Sequence, residues 1–130
     1  IEIVARAAVG RRLRRRREID HAYREGLAGL EWLSPPPEPP ADCRTSHYFY
    51  WIQVPGEGRR DRLATHLRDA GIYTTFRYHP LHRVGFYGHS GPALPCTEQA
   101  AEETLLLPMH QSLSDSDVQR VLEAIRCFPC

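Results

Sequence analysis

Lysine is missing from this 130-residue chain; all 17 of its basic residues are arginine. Without an ε-amine, these residues cannot condense with an aldehyde cofactor or a carbonyl substrate, so amine-based covalent catalysis is excluded from them. Net charge is also scarce. The 17 basic and 16 acidic side chains leave +1, without the basic excess of a dedicated nucleic-acid binder. No apolar run approaches the ~18 residues that suggest a membrane span, and no secretory hydrophobic segment is present, which points to a cytoplasmic protein. Cysteine is sparse: Cys43, Cys96, Cys127 and Cys130 are scattered apart from the closing C-F-P-C. That pair has no partner motif, so the four read as reduced thiols and no metal is expected.

What is present suits an ordinary globular domain, with 42% apolar and 25% charged residues. Residues 1–30 carry Ile3, Ala7, Leu13, Ile19, Tyr23, Leu27 and Leu30 at roughly helical spacing. Thirty helical residues extend about 45 Å, whereas a compact domain of this size has a radius of gyration of about 14 Å. Such a helix overhangs its own domain and needs another surface to cover its stripe. The chain is therefore expected to be part of a larger protein. Arg11 to Arg17 hold six arginines in seven positions. They can form a phosphate-binding patch, but the density of like charge favours a solvated helix face.

Five prolines between 35 and 40 break the chain into an extended connector. Beyond it, SHYFYWIQV (46–54) reads as a strand, RRDRLATHLRDAG (59–71) as a helix stopped by Gly71, and IYTTFRY (72–78) as a second strand. A helix over about 97–106 and a short third strand within 105–110 follow. Ser114 and Asp117 resemble a capping pair for a helix from 115 to about 127, faced by Val118, Val121, Leu122 and Ile125. The division is 1–33 as a long helix, 34–45 as a Pro-rich connector and 46–130 as a small α/β layer domain.

Chemistry concentrates in FRYHPLHRVGFYGHS, residues 76–90, with three histidines, two arginines and four aromatic rings. Four readings compete. His79, His82 and His89 could ligate zinc, but no carboxylate or thiolate lies close in sequence. Phe76, Tyr78, Phe86 and Tyr87 could stack bases beside Arg77 and Arg83, against the near-neutral charge. A decorated surface loop is the plain alternative. The reading favoured is the rim of a pocket for an anionic small molecule, with arginine for charge and histidine for hydrogen bonds.

HYFYWIQV, the run RLATHLRDAGIYTTFRYHPLHRVGFYG, and EQAAEETLLLPMHQSLSDSDVQRVLEAI together resemble the DegT/DnrJ/StrS family of sugar aminotransferases. The resemblance covers essentially the whole chain. It implies the small C-terminal domain of a fold type I aminotransferase: a long leading helix and a short, mostly antiparallel sheet packed by helices. It also implies pyridoxal phosphate as cofactor, bound by an N-terminal large domain outside this chain, together with the catalytic lysine. The implied reaction transfers an amino group, from glutamate, to a nucleotide-linked keto-deoxysugar in a homodimer. The wording of residues 73–84 is closest to members that aminate the 4-keto carbon.

The family's Y-x-P-L-H block lands on Tyr78, Pro80, Leu81 and His82, with His79 at x and Arg77 before it. The resemblance implies Arg77, His79, His82 and Tyr78 as substrate-binding residues, and no catalytic residue in this chain. His47 and Tyr48 are expected as strand core, and Met109 and His110 as structural residues. Arg83 and the HSGPALPC segment depart from the family pattern, so no role passes to His89 or Cys96. An arginine-only basic set hints at GC-rich coding and a bacterial secondary-metabolite, antibiotic-type pathway. The alternative to the enzyme reading is a freestanding module that binds an anionic ligand or nucleic acid.

Overall fold

A computed structural model of the chain describes residues 2–76, 79–87 and 92–129. Helix α1 spans Glu2–Leu27, β1 Tyr50–Gln53, α2 Arg59–Asp69 and β2 Thr75–Phe76. Two 3-10 turns follow at Leu81–Arg83 and Gly85–Tyr87, then α3 (Pro95–Glu103), β3 (Thr104–Leu107) and α4 (Asp115–Arg126). The strands form one antiparallel sheet in the order β1-β3-β2. The expected α/β layer fold is what the chain adopts.

The core sits between one sheet face and the helices. Tyr50 and Ile52 of β1 and Leu105 and Leu107 of β3 point into it. Alternation along the strands puts Trp51, Leu106 and Thr75, which are paired in register, on the opposite face. From α1 come Ile19, Tyr23 and Leu27, four residues apart; from α4 come Val118, Val121, Leu122 and Ile125. These two stripes meet closely at Gly26, where an added methyl would lie within 2.6 Å of Leu122 Cδ2. Helix α2 adds Leu63 and Leu67.

The element boundaries depart from the sequence expectation for local reasons. Helix α1 stops at Leu27, short of residue 33, because Gly29 takes φ +83° and the chain winds on through tight turns to Leu33. Strand β1 begins at Tyr50, not Ser46. Tyr50 pairs with Leu107, and the next residue on β3 is Pro108, which has no N–H to offer a longer ladder. Strand β2 is described only at Thr75–Phe76, and Arg77 and Tyr78 lie outside the described residues. Helix α3 starts two residues early, because Pro95 suits a first helical position, and ends at Glu103 so that Thr104 can join β3. Helix α4 follows its pattern closely. Ser114 Oγ accepts from the Asp117 N–H at 3.1 Å, and the Ser114 N–H donates to Asp117 Oδ2 at 2.9 Å.

The arginine run is not uniformly solvated. Arg11, Arg12, Arg14 and Arg17 are exposed, but Arg15 and Arg16 turn inward. Arg15 donates to the Leu113 carbonyl through Nε (3.0 Å) and a terminal nitrogen (2.7 Å), and pairs with Asp115 at 2.8 Å. That side chain clips α1 to the entry of α4.

Candidate functional site

Among its described residues, the loop after β2 has little backbone support of its own. Its hydrogen bonds are local turns: Arg83 N–H to Pro80 (2.9 Å), Val84 N–H to Leu81 (3.1 Å) and Tyr87 N–H to Val84 (2.9 Å). Two kinds of contact tie it to the body. Pro80 is buried and, with Trp51, Gln53, Thr97, Ala101 and Thr104, lines a hollow of about 410 Å³ on the outer sheet face. Glu98, in the first turn of α3, takes both polar side chains of the first 3-10 turn. His82 Nε2 lies 2.9 Å from Glu98 Oε1, and Arg83 donates to Glu98 Oε2.

The Arg83 guanidinium and then His82 drive the Glu98 carboxyl down to about 2, so at neutral pH it is a carboxylate. Of the expected substrate residues, His79 is exposed and His82 is largely covered, with 18% of its side chain open. Arg77 and Tyr78 fall outside the described residues, as does His89. Among the described residues no group of three or more His, Cys, Asp or Glu side chains gathers as a metal set. Also among them, no helix is long and apolar enough to cross a membrane.

A larger hollow of about 810 Å³ lies at the sheet end where β1 and β2 begin and β3 ends. Its wall includes Arg16, Tyr48, Tyr73, Phe76, His110 and Arg120, but neither His79 nor His82. The Arg16 guanidinium carbon sits 5.8 Å from the centre of the Tyr48 ring. This corrects the placement of His47 and Tyr48 in strand core. Both precede β1: Tyr48 is 68% exposed, while His47 has φ +46° and turns its Nδ1 to within 3.4 Å of Asp20. Met109 packs against the core as expected, whereas His110 is exposed on the hollow.

Glu98 was not foreseen. Its partners lie 15 and 16 residues back along the chain. The local pattern, an acidic residue in the first turn of a Pro-started helix, is already accounted for by the helix dipole and does not point to these partners.

Residues 5–126 match the model of the DegT/DnrJ/EryC1/StrS aminotransferase family. The chain belongs to that family. It is 42% identical over 111 residues to a dTDP-4-dehydro-2,3,6-trideoxy-D-glucose 4-aminotransferase of Saccharopolyspora spinosa, covering 85% of this chain and 28% of that protein. The crystal structure of the aminotransferase TlmJ from Streptoalloteichus hindustanus superposes with a TM-score of 0.88 at 50% identity, over 95% of this chain and 33% of the other. A matching structure from Streptococcus pneumoniae is in a PLP-form, with a TM-score of 0.76 at 28% identity, covering 88% of this chain and 30% of that one. The chain thus spans about a third of the length of these family members.

Proposed function

We propose that this chain is the small-domain portion of an aminotransferase that delivers an amino group, from glutamate, to the keto carbon of a nucleotide-linked deoxysugar. The reading is carried by one observation: the likeness to a dTDP-keto-deoxysugar 4-aminotransferase runs along 85% of the chain at 42% identity. The complete protein is read as a cytoplasmic homodimer whose other domain holds pyridoxal phosphate. The residues here do not fit as its covalent seat, because no lysine is among them. When bound, that cofactor supplies the electron sink and carries the amino group.

The task left to this chain is binding and orientation. Arg77, His79, His82 and Tyr78 are assigned to bind the nucleotide-sugar. Guanidinium and imidazole groups suit phosphate and hydroxyl groups, and holding the keto carbon in line with the amine lowers the barrier by prior ordering. The loop's anchorage supports this assignment, since Pro80 and Glu98 fix it from two sides.

The test is kinetic. The full-length enzyme with pyridoxal phosphate, glutamate and a dTDP-4-keto-deoxysugar should yield the aminated sugar. Arg77→Ala and His82→Ala should each raise KM for the nucleotide-sugar while the cofactor's absorbance spectrum stays unchanged. Wild-type kinetics in both variants would withdraw the site assignment.

A further inference from the structure

The imidazole of His82 has two nitrogens, and Glu98 makes one of them, Nε2, a donor. A carboxylate only accepts hydrogen bonds, so the 2.9 Å contact requires the proton to sit on His82 Nε2. Arg83 occupies the second carboxylate oxygen. Glu98 itself is held in place by the first turn of α3, with its N–H donating to the Leu94 carbonyl at 2.9 Å. Both members of the histidine–carboxylate pair are mostly covered, with 18% and 19% of their side chains open. A pair this sheltered has less freedom to reorient than an exposed surface ion pair. The remaining nitrogen, Nδ1, keeps its lone pair in the neutral ring and has no partner among the described residues.

We propose that Glu98 is a positioning residue: it fixes His82 in the Nε2–H tautomer so that Nδ1 is offered as a hydrogen-bond acceptor to a hydroxyl of the bound nucleotide-sugar. The proposal rests on the substrate-side reading of this loop and adds a residue and a direction of hydrogen bonding to it. It also gives Arg83 a defined place. With one guanidinium nitrogen on Glu98, Arg83 steadies the turn. The same arrangement recurs wherever a second group on an imidazole selects the nitrogen that meets a ligand.

The experiment uses the full-length enzyme in two arms. In the first, selective ¹⁵N-histidine labelling reports the His82 ring directly. The expected wild-type result is an exchange-protected proton on Nε2 and a bare Nδ1, with the protection lost in Glu98→Leu, which has no acceptor. A proton found on Nδ1, whether Nε2 is bare or also protonated, would overturn the proposal.

The second arm measures kinetics with a dTDP-4-keto-deoxysugar as the probe. Glu98→Gln, which keeps the size of the side chain, should raise KM for the sugar by ~3–10-fold, the scale of one hydrogen bond. KM for glutamate should not move, and kcat should change less than KM. The double variant Glu98→Gln/His82→Ala should be no worse than His82→Ala alone, because both lesions remove the same contact. Arg83→Ala, which loosens the turn but leaves the Nε2 contact, should have the smaller effect on KM. If Glu98→Gln and His82→Ala add independently, or only His82→Ala raises KM, Glu98 is not acting through His82 and the proposal falls while the site reading stands. If His82→Ala itself leaves KM unchanged, His82 is not a substrate contact and this proposal falls; the site reading falls with it only if Arg77→Ala is also without effect.

Discussion

The Tyr23 hydroxyl donates to the carbonyl of Pro108 at 2.9 Å, which joins the packed half of α1 to the residue that ends the sheet. Tyr50 lies against it, with ring centroids 5.0 Å apart, yet the Tyr50 hydroxyl is buried without a hydrogen-bond partner among the described residues. Burial pushes both phenols up, Tyr50 to about 12. The two tyrosines should therefore respond differently to loss of the oxygen. Tyr23→Phe should cost about 1 kcal/mol, the usual net value of a hydrogen bond, and leave the Pro108 carbonyl short of a donor. Tyr50→Phe removes an unsatisfied group and should be neutral or slightly stabilising. Urea unfolding of both variants checks the ordering; equal losses would mean that the Tyr50 hydroxyl is satisfied in solution.

Gly26 marks the closest approach of α1 to α4. A glycine inside a helix normally gains up to about 1 kcal/mol on replacement by alanine. Here the added methyl would overlap Leu122, so the core must shift, at a typical cost of about 1–3 kcal/mol. The clash should outweigh the propensity gain, and Gly26→Ala should destabilise. Leu122→Ala opens a cavity at the same place, so the double variant should be more stable than the sum of the single losses predicts. Strict additivity in chemical denaturation would show that the added methyl does not press on Leu122.

Helix α4 was legible because everything that makes it is local: an apolar face at helical spacing and a capping pair three residues apart. The ends of β1 were not. Residues 46–49 have strong strand propensity, but a strand extends only as far as its partner, and the partner stops at Pro108, some 58 residues further along the chain. The stop of α1 depended on whether Gly29 would adopt a left-handed turn, which composition alone does not decide. The arginine run divided for a similar reason, since Leu113 and Asp115 are remote in sequence and only the packed fold brings them to Arg15. At the site, family wording drew attention to His82, but no periodicity links it to Glu98.

Ser114 is the hinge between the Arg15 clip and α4. Its hydroxyl satisfies an otherwise free N–H of the first turn, and Asp117 returns the bond to the Ser114 N–H. Ser114→Ala should cost about 1 kcal/mol, in the range of helix caps, and Ser114→Gly less than that. Asp117 is held below its ordinary range chiefly by the Ser114 side chain, so Ser114→Ala should also bring the Asp117 pKa back up. NMR titration of the Asp117 carboxyl would check this; an unmoved pKa would place the cause elsewhere.

Glu98 should leave its own mark on acid stability. Its carboxyl falls from an ordinary 4.5 to about 2 in the folded chain, mainly through Arg83 and then His82. The unfolded chain therefore takes up this proton at higher pH than the folded one. The stabilisation is complete above about pH 4.5, declines as pH falls below that value, and is gone below about 2. Glu98→Gln carries no such proton, so its stability should lie below wild type at neutral pH, with the gap closing through that window. Asp117 is shifted in the same direction and contributes its own slope, so Asp117→Asn serves as the comparison that isolates Glu98. Urea midpoints measured from pH 7 down to 2 report the difference, and a gap between wild type and Glu98→Gln that stays constant across that range would show that the carboxylate is not held by Arg83 and His82 in solution.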